Sequence, residues 1–250
     1  MKTRCGVRLS VASIIEHNPP HAGKSSSDPS MCGRFTLRQS SAEVRKNFDL
    51  DAVPAFDPRY NIAPTQSVLA LRRTAQLKEA VFLRWGLVPS WASDLSIGNR
   101  LINARAETIT EKPSFRAAFQ RRRCLIVADG FYEWQSVGGK KQPIHFRFRD
   151  GRLFTLAGLW EKWPGAGGPP VESCTILTTN ANELVQPLHE RMPVILGPEH
   201  RDEWLNPNFS DTIALQSWLT AWSAEEMTAV TASMRVNNPR NEGPDCLEAA

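Results

Sequence analysis

Short runs of β-branched and aromatic residues, separated by turn-forming clusters and interrupted irregularly by a few helical segments, most constrain what this chain can fold into. Such runs predict strands at 33–37, 68–72, 81–86, 124–128, 144–149, 153–159, 175–178, 194–196 and 228–236. Helices are predicted from about Ala42, opened by the capping-box pattern Ser40-x-x-Glu43, and at 113–122, where proline sits in the first turn. Further helices are predicted at 181–188, 198–205 and 212–222. A doubly wound parallel sheet would need strict strand and helix alternation, which this order lacks. The expected fold is therefore α+β, a single domain built on a folded, barrel-like mixed β-sheet with peripheral helices. No internal repeat or second domain boundary is evident, and 165–170 (GAGGPP) reads as a surface loop between strands.

The first 30 residues differ from the rest. They contain Pro19-Pro20 and a Ser25-Ser26-Ser27 run, and Arg8 breaks the one apolar stretch that a secretory signal would need uninterrupted. Residues 1–30 are expected to be a disordered extension or a misassigned start, and 31–250 the folded domain. The apolar run Leu125–Ala128 is closed by Asp129, far short of the roughly 20 residues a membrane helix requires. Five cysteines, an odd number with no short spacing, argue against a disulfide framework or a zinc ribbon and for a reducing, cytoplasmic setting. The net charge of +4 falls to +2 once residues 1–30 are set aside, leaving 26 basic against 24 acidic side chains. Any nucleic-acid contact must then come from arginines gathered in one groove rather than from bulk charge.

Polar residues cluster beside the predicted strands, where sites are commonly built. Cys32 by itself reads as a small buried hydrophobe or as a nucleophile. Its place directly after Met31 adds a third property: removal of the preceding residue would expose a thiol and an α-amine on adjacent carbons. Such a 1,2-aminothiol condenses with an aldehyde to a Schiff base that closes into a five-membered thiazolidine, which an internal cysteine cannot do. Glu133, between Tyr132 and Trp134, is either a solvent-facing strand position or a desolvated carboxyl raised towards the range of a general acid. His189 fits a satisfied core histidine as well as a catalytic one. Asn103 and Arg105 share a strand face by the period of two, as a cross-strand polar pair or as part of a site. Trp160, Trp163, Trp204, Trp218 and Trp222 are assigned to packing, whereas Trp85 and Trp91 bracket a turn from which a ring could meet a ligand. With Arg34, Arg59, Arg84, Arg100 and Arg105 they suit single-stranded nucleic acid.

In order along the chain, MCGRF at 31–35, RYNIAP at 59–64, WGLVPSW at 85–91, LINARAET at 101–108, ADGFYEW at 128–134, HERMPVIL at 189–196 and VNNPRNEGPDCLE at 236–248 resemble the SRAP (SOS response-associated peptidase) family. The resemblance covers nearly all of 31–250. It implies an abasic site processing protein that crosslinks to abasic sites in single-stranded DNA, with Cys32 as N-terminal nucleophile, Asn103 as active-site asparagine, Glu133 as catalytic glutamate and His189 as active-site histidine. It further implies DNA contacts from Arg34, Asn61, Trp91, Arg105 and Thr178. Self-processing that removes the preceding methionine, and strand cleavage through the Schiff base, belong to the same implication. No metal, cofactor or membrane is expected, and single-stranded DNA would suit a monomer. A cysteine peptidase or N-terminal-nucleophile hydrolase acting on other proteins is the alternative enzyme, and a non-catalytic single-strand binder the alternative without chemistry. One departure stands out: the written sequence begins 30 residues before Met31, and while that segment remains attached Cys32 has no free amine.

Overall fold

A computed structural model describes residues 32–74 and 77–248. The predicted extension at 1–30 lies outside the described residues. Strands β1 (Phe35–Leu37), β2 (Arg59–Ile62), β7 (Gly130–Val137), β8 (Lys140–Phe148) and β12 (Met227–Thr231) form an antiparallel sheet in the order β12-β8-β7-β1-β2. A second sheet contains β3 (Ser67–Arg73), β4 (Lys78–Trp85), β6 (Arg123–Ala128), β9 (Phe154–Trp163) and β10 (Val171–Asn180). These five close on themselves, because β10 pairs both with β9, antiparallel, and with β4, parallel. The result is a mixed barrel, and closure leaves its strands without open edges. Two short strands, β5 (Asn103–Arg105) and β11 (Arg191–Pro193), extend it alongside β10. The α+β, barrel-like architecture expected from the sequence is the one observed.

The residues that build these elements do so for local reasons. Strands β3 and β6 read as nearly continuous apolar runs because their side chains, among them Leu69, Leu71 and Ile126, are buried on both faces, and β9 and β10 add Leu159 and Ile176 to the same core. Gly158 permits the closure: a Cβ there would lie 2.9 Å from the Thr175 carbonyl oxygen and would collide with Ile126. Helix α1 (Ser41–Phe48) begins at the predicted capping box, with Glu43 N–H donating to Ser40 Oγ at 3.3 Å and Ser40 N–H donating to Glu43 Oε2 at 2.8 Å. It ends at Asp49 in the left-handed conformation, φ 49°, and buries Val44 and Phe48. Helix α2 (Pro113–Arg121) starts on its proline and buries Phe115, Ala118 and Phe119.

Several expectations are corrected. The helix predicted at 181–188 is a series of turns: Val185 and Gln186 N–H both donate to Asn182 O, and Pro187, with no N–H of its own, interrupts the ladder. The segment 198–205 is a 3-10 turn at Pro198–His200 followed by α3 (Arg201–Leu205), and α4 (Thr212–Ser217) stops five residues before the predicted end. At 194–196 only a single bridge, Ile195 to Leu156, is made, and the strand lies just before it as β11. The strand predicted at 228–236 ends at Thr231, after which a 3-10 turn, Met234–Asn237, is capped by Ser233. Strand β2 falls outside every predicted strand, since its four residues are too few to show a period of their own. Among the described residues no helix is long and apolar enough to cross a membrane.

Arg123 locks the helices to the barrel. Its guanidinium is 2% exposed and donates to the carbonyls of Trp204, Phe119, Gln120, Asn206 and Phe209 at 2.5–3.0 Å. Burial lowers its pKa to about 10, so it remains charged at neutral pH. Arg123→Met should leave these acceptors without a donor and cost about 3–5 kcal/mol in urea unfolding. A cost below about 1 kcal/mol would show that water replaces the guanidinium.

Candidate active site

Glu133 sits in the middle of β7, between β1 and β8, opposite Ile144. Alternation puts it on the same face as Phe131, opposite Tyr132 and Trp134, and only 2% of it is exposed. Cys32, 3% exposed, precedes β1 and turns back towards β7 with φ 42°, a left-handed conformation uncommon for a residue with a side chain. That turn brings its backbone N–H to Glu133 Oε1 at 3.0 Å, across 101 residues of sequence. The Cys32 thiol also feels the charge of the same carboxylate.

The electrostatics follow from this burial. Desolvation raises the Glu133 carboxyl to about 7, and hydrogen bonding from Cys32 only partly offsets it. The Cys32 thiol is pushed well above its ordinary value by burial first and by the Glu133 charge second, while Arg191 pulls it down. The site therefore holds a protonated thiol beside a carboxyl poised near neutrality, the pairing a proton-transfer step needs.

Arg191 comes from β11, across the site, and is 8% exposed. Its guanidinium makes a two-pronged pair with Glu107 at 2.7 and 2.8 Å and donates to Asn180 Oδ1 at 2.9 Å and the Thr178 carbonyl at 2.6 Å. The pair holds the Glu107 carboxyl below its ordinary range. His189 lies two residues earlier and is half-buried. Its Nδ1 lies 2.9 Å from the Arg191 backbone nitrogen and 3.2 Å from the Arg191 carbonyl oxygen, so the Arg191 backbone holds the ring. Asn103 and Arg105 stand on β5 in register with Ile176 and Thr178 of β10. Arg105 is exposed and Asn103 is half-buried.

A second cluster adjoins β1. Arg34 donates to Asn61 Oδ1 at 2.8 Å and to the Val236 carbonyl at 2.6 Å, and its guanidinium lies 5.9 Å from the Trp134 ring centre. Asn61 is fully buried, and its amide donates to the carbonyls of Val236, Asn238 and Asn241. Glu242 accepts from the backbone N–H groups of Tyr60 and Asn61. The segment 236–242 is thereby fastened against β2.

Of the residues singled out from sequence, Cys32 and Glu133 touch, and His189 and Thr178 meet through Arg191. Asn61 and Thr178 are enclosed, Thr178 with its hydroxyl 3.5 Å from the Ala104 carbonyl. Trp91 is 61% exposed on a separate loop. Trp85 is the clear correction: it is fully buried, its Nε1 donates to the Ile102 carbonyl at 2.8 Å and its ring packs edge-on against Phe35, so it meets no ligand. The Arg191–Glu107 pair is not legible in the sequence as a pair. Among the described residues no group of three or more His, Cys, Asp or Glu side chains is arranged to hold a metal ion.

The profile of the SRAP family, SOS response associated peptidase, matches residues 31–239. "Abasic site processing protein YoaM" of Bacillus subtilis (strain 168) is 44% identical over 223 residues, covering 88% of this chain and 98% of that protein. "Abasic site processing protein HMCES" of Xenopus tropicalis is 31% identical over 264 residues, covering 88% of this chain and 78% of its own. A crystal structure of a protein from Bacteroides thetaiotaomicron aligns with a TM-score of 0.79 at 26% identity, over 88% of this chain and all of that one.

Proposed function

The chain belongs to the SOS response associated peptidase family, and from that premise we propose that it senses abasic sites in single-stranded DNA and shields them as a covalent thiazolidine on Cys32. The observation that carries this reading is the 3.0 Å contact between Cys32 N and Glu133 Oε1. The names of the relatives and the match beginning at Met31 point the same way. The reaction requires that the chain preceding Cys32 be removed, and the peptidase activity in the family's name would supply that hydrolysis. Water then adds across the Met31–Cys32 peptide bond, leaving a carboxylate on the released segment and an amine on Cys32.

The open form of an abasic deoxyribose presents an aldehyde. The neutral Cys32 amine adds to the aldehyde carbon, the adduct carries no cation to hold the Glu133 carboxyl ionised, and Glu133 protonates the hydroxyl that departs as water. The thiol then adds to the imine carbon, giving its proton by way of Glu133 to the imine nitrogen. One water leaves in all, and no oxidant is consumed. His189, with Nδ1 held by the Arg191 backbone, offers Nε2 to the sugar or its 3′ phosphate. Asn103 orients the amine. Arg34 and Arg105 contact backbone phosphates, and Trp91 offers a stacking face. Asn61 and Thr178, being enclosed, serve the strand path indirectly by holding Arg34 and Arg191.

Incubation of protein beginning at Cys32 with a single-stranded oligonucleotide carrying one abasic site should give a band that survives heat and denaturant. An oligonucleotide with a tetrahydrofuran in place of the abasic sugar, which has no aldehyde, should give none. Absence of the band with the true abasic site would overturn the proposal. Binding that is never covalent would leave a non-catalytic single-strand binder.

A further inference from the structure

We infer that Asp129, acting through Thr36 and Arg38, is the positioning residue that sets β1 against β7 and so holds Cys32 on Glu133. The inference rests on the crosslinking reading only for its effect on rate. Strand β1 is three residues long and meets β7 at only Phe35↔Phe131 and Thr36↔Gly130. Its apolar residues, Phe35 and Leu37, would still face the core after a slip of two residues. Hydrophobic packing alone therefore leaves the register open. Each residue of slip displaces the chain by about 3.3 Å, enough to break a 3.0 Å contact at Cys32.

Asp129, fully buried at the entrance to β7, removes the ambiguity. Its Oδ1 accepts from the Thr36 hydroxyl at 2.5 Å, and its Oδ2 accepts from both Arg38 N–H at 2.8 Å and Arg38 Nε at 3.0 Å. Its backbone N–H donates to the Thr36 carbonyl at 2.9 Å, while Tyr132 N–H donates to the Arg34 carbonyl at 3.0 Å. Thr36 has one proton to give, and the acceptor-only carboxylate takes it. His145 Nε2, 3.1 Å from the same hydroxyl, must therefore be the donor to it. Burial keeps His145 neutral, so the relay from His145 to Thr36 to Asp129 has one direction. Gly130 makes room for it, since a Cβ there would collide with the His145 ring. These partners are matched at only one register of β1, and among the described residues their side chains hydrogen-bond one another rather than Cys32 or Glu133.

Asp129→Asn and Thr36→Val test the inference in protein beginning at Cys32. Each should slow single-turnover crosslinking by about 100-fold, the penalty typical of a misplacement near 1 Å. Affinity for the tetrahydrofuran oligonucleotide should change by less than about twofold. Thr36→Ser, which keeps the hydroxyl, should restore the parental rate. Without DNA, alkylation of Cys32 by iodoacetamide, followed by peptide mapping, should quicken about tenfold as the residue leaves Glu133. Cys124 and Cys174, buried in the barrel, should stay protected. Parental rates with Cys32 still protected would overturn the inference, and so would loss of protection at all three cysteines, which marks general unfolding. If the parent forms no crosslink, the functional reading fails, while the alkylation arm still decides the role of Asp129.

Discussion

Glu133→Gln should crosslink to an abasic oligonucleotide about 10²- to 10³-fold more slowly than the parent, and yet be the more stable protein at alkaline pH. Both effects have one cause. The carboxyl is buried and raised from 4.5 to about 7, so between those values the folded chain binds a proton that the unfolded chain has released. Stability of the parent consequently falls as pH rises through this window. The cost is absent below about pH 4.5 and complete above about pH 7, where a shift of this size corresponds to about 3 kcal/mol. Glutamine keeps an oxygen for the Cys32 N–H but never ionises. In the chain that still carries residue 31, urea unfolding should therefore give nearly equal stabilities at pH 4.5 and an advantage for the variant of about 3 kcal/mol at pH 8. Release of the Cys32 amine would place a cation 3.0 Å from the carboxylate, draw its pKa back down and shrink that advantage. Equal stabilities at both pH values would show that Glu133 is not held near neutrality. A parental crosslinking rate would remove it from proton transfer.

Changes at Cys32 should separate the two nucleophiles. Cys32→Ala retains an amine once the preceding chain is removed but has no thiol, so it can form only an imine that water reverses. It should give no heat-stable band, though borohydride should trap one. Protein retaining residue 31 has the thiol and no amine, and it should give neither product. The combination places imine formation on the nitrogen and ring closure on the sulfur. A heat-stable band from Cys32→Ala without borohydride, or from protein with residue 31 attached, would sink the thiazolidine chemistry. The thiol's raised pKa makes the second step depend on Glu133 as the first does, since thiolate is scarce at neutral pH and the proton must pass to a neighbour.

Short runs of β-branched and aromatic residues mark most of the strands, and the proline and capping signals mark both α1 and α2. Pattern and fold part company where a periodic run is cut by a residue whose effect is local but whose consequence is not. Pro187 is one case, turning an apparent helix into the turns that lead to His189. Cys32, Glu133 and His189 are legible as candidates, each with a structural reading beside the functional one, and it is the ordered motifs around them that join them into one site. Their contacts are not legible in that way. Trp85 reads as ligand-facing because it borders a turn, yet the packing of Phe35 and the carbonyl of Ile102 enclose it. Arg191 reads as one basic residue among many, and it is Glu107, 84 residues earlier, that grips it in the folded chain.

Interactions that close within a few residues can be read along the chain: the Ser40–Glu43 cap, the proline start of α2, the β-branched and aromatic runs of the strands, and the adjacency of Cys32 to the residue whose removal would free its amine. That Glu133 is desolvated and that Cys32 lies against it follow from the folded chain alone, because both depend on β1 being seated on β7 across 101 residues of chain. A pKa near 7 is a property of the surroundings rather than of the glutamate. Those surroundings exist only once the sheet has formed and excluded water from the carboxyl.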